Sequence, residues 1–134
     1  MAATKGPFVE TVAATKGQVD KMQVAEMKLL RWSLGLTRLD RIRNETVRKR
    51  VRVGELKEKV RESRMRWLGH ILRREEDYVG KRVRQLKVGK QKRGRPKRRW
   101  KDCIQEDMKI LGLCEKDAED RVKWRNSIRC GDPT

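Results

Sequence analysis

The chain has 134 residues, 37 of them lysine or arginine against 19 aspartates and glutamates, for a formal charge of +18. That length holds one small domain or two helical subdomains and excludes the large enzyme architectures. With hydrophobic residues at 36%, the composition lies between a foldable domain and a polyelectrolyte, and a polyanionic partner is the first expectation.

The first twenty residues repeat "AATKG" at 2–6 and 13–17 but offer few large apolar side chains, so residues 1–19 read as a loose tail. This start also lacks the apolar core of a signal peptide. In "DKMQVAEMKLLRWSLG", Met22, Ala25, Leu29 and Trp32 recur at helical spacing with Leu30 and Leu34 beside them. Asp20 is placed to cap that helix and Gly35 to end it. Asn44 then reads as the N-cap of a short helix through Val51, with Leu39, Ile42, Val47 and Val51 as a thin apolar edge.

"ELKEKVRESRMRWLGHILRR" carries the strongest helical pattern, a stripe of Leu56, Val60, Trp67 and Ile71 widened by Leu68 and Leu72. Lys59, Arg66 and Arg73 recur every seven residues, as a phosphate-tracking face would. Glu55 with Lys59 and Glu62 with Arg66 equally describe an ordinary solvated surface of ion pairs.

From Gly80 to Lys101 there are twelve basic residues and no acidic one, with three glycines and Pro96. Such a run repels itself and reads as a flexible linker, with a short extended piece at "VRQLKV". Beyond it, Trp100, Cys103, Ile104, Met108 and Leu111 share a helical face closed by Gly112, and Ala118, Val122 and Ile128 mark a last helix. A three-residue turn between the two implies a helical hairpin.

The expected fold is therefore mainly α: short amphipathic helices over 20–79, a flexible basic linker over 80–99, and a C-terminal helical hairpin over 100–134. Trp32, Trp67 and Trp100 lie on apolar stripes and read as core anchors, while Trp124 is less clearly placed. No run is long and apolar enough to span a bilayer, so no membrane partner is expected.

Charge is concentrated in the middle, where residues 38–101 carry 26 basic and 8 acidic side chains. Its densest stretch is "KQKRGRPKRRW". Within it, Arg93, Gly94, Arg95 and Pro96 resemble the core of an AT-hook. There, a glycine lets the backbone approach the floor of the minor groove, arginines lie along the groove, and proline favours an extended path. Lys90, Lys92, Lys97, Arg98 and Arg99 would neutralise phosphates. Two plainer readings stand beside this one. Pro96 suits the first turn of the helix that holds Trp100, and the whole run suits a sequence-blind tether or a nuclear import signal.

Nothing in the chain assembles an active site, a metal centre or a cofactor site. His70 is the only histidine, and Cys103, Cys114 and Cys130 form no CxxC pair, which points to reduced thiols. Cys114 and Cys130 flank a helical stretch of roughly 24 Å at 1.5 Å per residue, too far apart to share one ion. Asp102, Glu106 and Asp107 share one helix, where pairing with nearby surface cations accounts for them.

"QVAEMKLLRWSLGLTRLDRIRNETVRKRV", "RESRMRWLGHILRR", "RGRPKRRWKDCIQEDMKILGL" and "DAEDRVKWRNSIR" together resemble, in that order, the C-terminal end of the endonuclease and reverse transcriptase polyproteins of non-LTR retrotransposons. The resemblance covers about residues 10–133. It implies a thumb-side helical region and basic tail that hold template and primer, without the catalytic endonuclease and polymerase domains; "EEDYVG" is not the palm's paired-aspartate turn. Cys114 departs from the pattern, standing where a Ser or Thr cap of the last helix is expected.

The resulting expectation is a non-catalytic binder of DNA or RNA, nuclear or cytoplasmic with the nucleus favoured. The alternatives are a module that docks its apolar helix faces on a polymerase core or another chain, and an AT-hook-type minor-groove binder.

Overall fold

The computed structural model of the protein describes residues 15–86, 89, 93–95 and 98–132. The chain is mainly helical, as its periodicity implies, and no strand occurs among the described residues. The helices are α1 (Lys16–Ser33), α2 (Asn44–Val51), α3 (Leu56–Leu72), α4 (Val79–Gln85), α5 (Trp100–Leu111) and α6 (Arg121–Ile128), with 3-10 turns at Arg38–Asp40 and Glu115–Glu119. The chain divides into two units, residues 1–62 with 130–134, and residues 63–129. The division falls inside α3, not in the basic run, because the two ends of α3 have different neighbours.

In the first unit, α1 begins earlier than its apolar pattern does. Thr15 and Gln18 form a reciprocal capping box: the Thr15 N–H donates to Gln18 Oε1 at 2.8 Å, and the Gln18 N–H donates to Thr15 Oγ1 at 3.4 Å. Residues 16–19, expected in a loose tail, are therefore helical, and Asp20 lies inside the helix; residues 1–14 lie outside the described residues. Gly35 does end α1. At φ 65° it allows Gly35 N–H to reach Trp32 O and Leu36 N–H to reach Arg31 O, a reversal that favours glycine.

The buried face of α1 is not the expected one. Val19 and Met27 are buried, while Met22, Leu29 and Trp32 are exposed, Trp32 at 81%. An ion pair explains the choice. Arg48 of α2 is buried at 7% exposure and donates to Glu26 Oε2 at 2.6 Å and to Gly54 O at 2.8 Å. A buried arginine requires a fixed partner, so the Glu26 side of α1 turns toward α2 whatever the apolar count elsewhere. Asn44 opens α2 but does not cap it. Arg43 holds the N-cap position, and Asn44 Oδ1 instead accepts from Arg31 Nη2 at 2.8 Å.

The last described residues belong to this first unit. Lys59 Nζ donates to Cys130 O at 2.9 Å and pairs with Asp132 at 3.1 Å, and the Cys130 N–H donates to Glu62 Oε2 at 3.0 Å. Burial, and then the hydrogen bond to Glu58, pushes the Cys130 thiol above its usual range. Lys59 is thus committed within the fold and does not track along a phosphate face.

The second unit is built on one apolar cluster. Met65 and Leu68 of α3, Ile104 of α5, Ala118 of the second 3-10 turn, and Trp124 and Ile128 of α6 are all buried together. Leu72, Trp100, Met108, Leu111 and Leu113 pack around them. Trp124, the tryptophan that the pattern left open, is the most buried of the four tryptophans at 2% exposure, and its Nε1–H donates to Met65 O at 3.0 Å. Trp100 packs on this cluster as expected of an anchor, Trp67 is half-buried against His70 and is not among the residues of the cluster, and Trp32 is overturned as an anchor.

Gly112, at φ 64°, ends α5 as its position implies. The connection to α6 is longer than three residues because Glu115–Glu119 forms its own turn. Cys114 caps that turn and not the last helix: its N–H and Sγ meet Asp117 Oδ2 at 2.8 and 3.0 Å. Asp120 caps α6 by accepting from the N–H groups of Val122 and Lys123, and Val122, expected in the core, is exposed.

His70 stacks on Trp67 with centroids 5.4 Å apart and meets the edge of Tyr78 at 6.1 Å. Burial first, then the charges of Arg74, Arg73 and Arg121, hold its imidazole below the usual range. A group depressed on folding adds stability above its unfolded value and loses it as pH falls through the folded one. The second unit should therefore weaken as pH falls below about 6.5, and His70→Gln should flatten that slope. Thermal melts at stepped pH check this; parallel profiles for the two chains would contradict it.

Candidate nucleic-acid interface

The basic run begins with helix, not with linker. Residues 79–85 form α4, so the extended piece expected at "VRQLKV" is helical through Gln85. Two ion pairs offset the repulsion that a bare basic run would suffer: Lys81 with Glu76 at 2.6 Å, and Arg84 with Glu115. Gly80 sits where an added Cβ would lie 2.7 Å from the Tyr78 ring and 3.3 Å from Ile71 Cγ1, so this turn approaches α3 closely because the residue is glycine.

Of the expected phosphate-contacting residues, Lys90, Lys92, Pro96 and Lys97 lie outside the described residues. Arg93, Gly94 and Arg95 form an exposed bend, and Arg98 and Arg99 are exposed ahead of α5. Gly94 has φ 135° with nothing within 4 Å of an added Cβ, so glycine is required there by backbone conformation and not by crowding. Among the described residues Arg93 and Arg95 have no ion-pair partner, whereas Arg98 pairs with Glu106. The Arg99 N–H donates to Asp102 Oδ2 at 2.8 Å, fixing the start of α5 at Trp100. The first helical position is therefore Trp100; Pro96, read as a possible helix opener, lies outside the described residues.

The three carboxylates of α5 thus have separate tasks. Asp102 caps the helix and Glu106 pairs at the surface. Asp107, expected at the surface too, is 4% exposed and accepts both Nε and Nη2 of Arg64, at 2.7 and 3.0 Å. Arg73, the last of the heptad cations, donates to Ala118 O at 2.9 Å and so braces the second unit. Among the described residues no group of three or more His, Cys, Asp or Glu could hold a metal ion, and no helix is long and apolar enough to cross a membrane.

Local sequence reading missed a second basic locus, in the first unit. A cleft of 610 Å³ lies between α1 and the segment after Gly35, lined by Lys28, Arg31, Arg38 and Arg41 together with Met27 and Ile42. The Gly35 reversal brings these cations together. The only sequence signal for it is the basic pair Arg38 and Arg41 just after a helix-ending glycine.

No family model, no curated protein and no solved structure matches the chain.

Proposed function

We propose that the chain is a non-catalytic nucleic-acid-binding protein, derived from the tail of a retroelement reverse transcriptase, that holds phosphates through residues 90–99 without reading sequence. One observation carries this reading: the excess charge is concentrated in residues 38–101 and includes an exposed bend whose Arg93 and Arg95 have no ion-pair partner among the described residues. A cationic run beside a polyanion gains by releasing condensed counterions, which needs neither a pocket nor a fixed side-chain geometry. Arg98 is the weaker contributor, because Glu106 already offsets its charge. The same basic run supports a nuclear location.

The test is a binding titration at stepped salt on duplex DNA, single-stranded DNA and RNA. With about six contacts to a duplex, log K should fall with log salt at a slope of about −5. Absence of binding at low salt, or binding unchanged after neutralising Lys90, Lys92, Arg93, Arg95 and Lys97, refutes the reading. Conservative Arg93→Lys with Arg95→Lys separates it from minor-groove reading. Equal loss on AT-rich and GC-rich duplexes fits backbone contact, and loss confined to AT-rich ones fits a groove reader.

The exposed stripe of Met22, Leu29 and Trp32 favours a second reading, docking of α1 on a polymerase core or another chain. It requires binding that persists at high salt and disappears with Trp32→Ala.

A further inference from the structure

We propose that the cleft between α1 and the Arg38–Asp40 turn is a second phosphate-binding site, which takes a nucleotide of a single strand with its phosphate on Lys28, Arg38 and Arg41. This rests on the reading that the chain binds nucleic acid, but it assigns contacts to a different part of the molecule. At 610 Å³ the cleft falls in the roughly 300–1,000 Å³ range of small-ligand sites. Its lining is amphipathic, with buried Met27 and half-buried Ile42 offering an apolar surface to a base or sugar beside the cations.

The rim is only partly compensated. Among the described residues none of Lys28, Arg31, Arg38 and Arg41 forms an ion pair, while Arg48, Arg64, Arg84 and Arg98 all do. The carboxylate of the turn offsets them only in part: Asp40 feels the charge of Arg31 but forms no ion pair with the four among the described residues. Asp40 accepts from the Thr37 N–H at 2.6 Å and the Thr37 hydroxyl at 3.0 Å; the first of these bonds, then the second, hold its carboxyl below the usual range. Asp20 is the one acidic side chain in the lining. Four cations around one concavity repel each other in the free protein, and an anion between them relieves that repulsion.

The wall is also held in place before any ligand arrives. Arg31 Nη2 donates to Ile42 O at 2.6 Å and to Asn44 Oδ1 at 2.8 Å, tying α1 to the start of α2 with neutral acceptors. The charge of Arg31 is therefore retained at the cleft while its geometry is fixed, which lowers the ordering cost of binding. Arg41 has φ 49°, a left-handed conformation that asparagine accepts better than most side chains.

The experiment uses the full chain and a fluorescein-labelled oligothymidylate single strand at stepped salt. The cleft variant is Lys28→Gln, Arg38→Gln and Arg41→Asn, leaving the structural Arg31 intact. A control variant, Lys49→Gln, Arg50→Gln and Lys57→Gln, removes three exposed cations outside the cleft. The cleft variant should reduce the magnitude of the log K against log salt slope by about 0.7, the share of one single-strand phosphate, and the control should change it much less. Equal reductions would mean that only net charge matters and would overturn the site. So would an unchanged slope in the cleft variant together with loss of binding when Lys90, Lys92, Arg93, Arg95 and Lys97 are neutralised, an outcome that leaves the nucleic-acid reading standing. Failure of the wild-type chain to bind the strand ends both. Amide shifts of Ile42 and Asn44 in wild-type protein on adding the strand give a readout independent of the variants' folding; their absence at saturation would also overturn the site.

Discussion

Trp124→Ala should destabilise the second unit by about 3–5 kcal/mol, the range for emptying a large aromatic from a packed core. The indole is buried among Met65, Leu68, Ile104, Ala118 and Ile128, and its removal also deprives Met65 O of the indole N–H. Since small domains are stable by only about 5–15 kcal/mol in all, this one change should leave much of the unit unfolded at ordinary temperature. Gly69→Ala approaches the same contact from the other side. In an exposed helix that change stabilises by up to about 1 kcal/mol. Here the new Cβ would lie 2.4 Å from Trp124 Nε1 and 2.8 Å from its Cδ1, so the ring must move and the sign reverses. Urea unfolding followed by tryptophan fluorescence and circular dichroism checks both variants, and a more stable Gly69→Ala chain would show that the indole packs elsewhere.

Asp107→Ala should cost a similar about 3–5 kcal/mol, for a different reason. Arg64 and Asp107 make a two-point pair with side chains only 15% and 6% exposed, and deleting the carboxylate leaves a guanidinium largely out of water with its planar donors unmatched. The double change Arg64→Met with Asp107→Leu should recover much of the loss, since an apolar pair of similar volume carries no desolvated charge. A double variant as unstable as Asp107→Ala would argue that the pair does more than satisfy its own charges.

These two contacts also mark how far the sequence could be read. Helices with a strong local pattern were legible: α3 by its stripe, α5 by its apolar face and Gly112, the end of α1 by Gly35. The buried side of α1 was not. Its direction is set by Glu26 meeting Arg48, a pairing 22 residues apart that no periodicity records, so the richer stripe of Met22, Leu29 and Trp32 stayed outside. Trp124 was obscured because Val122 looked like its equal, and only the third dimension separates them. The exposed bend at Arg93–Arg95 could be read from composition alone, because exposure is what such a run needs. The cleft could not, since its cations come from both sides of a chain reversal and matter only once they share a space.

The first unit is completed by the far end of the chain. Gly54, Lys59 and Glu62 await Cys130 and Asp132, with more than sixty residues of the other unit in between. During synthesis, which proceeds from the N-terminus, those bonds cannot form until Asp132 has left the ribosome, and the closure of a long loop must then be offset by a few polar contacts. The second unit waits almost as long, since its core needs Trp124 and Ile128, which emerge only a few residues before Asp132. Vectorial emergence therefore lets α1 and α2 pair early, while both units are completed only when the last described stretch appears.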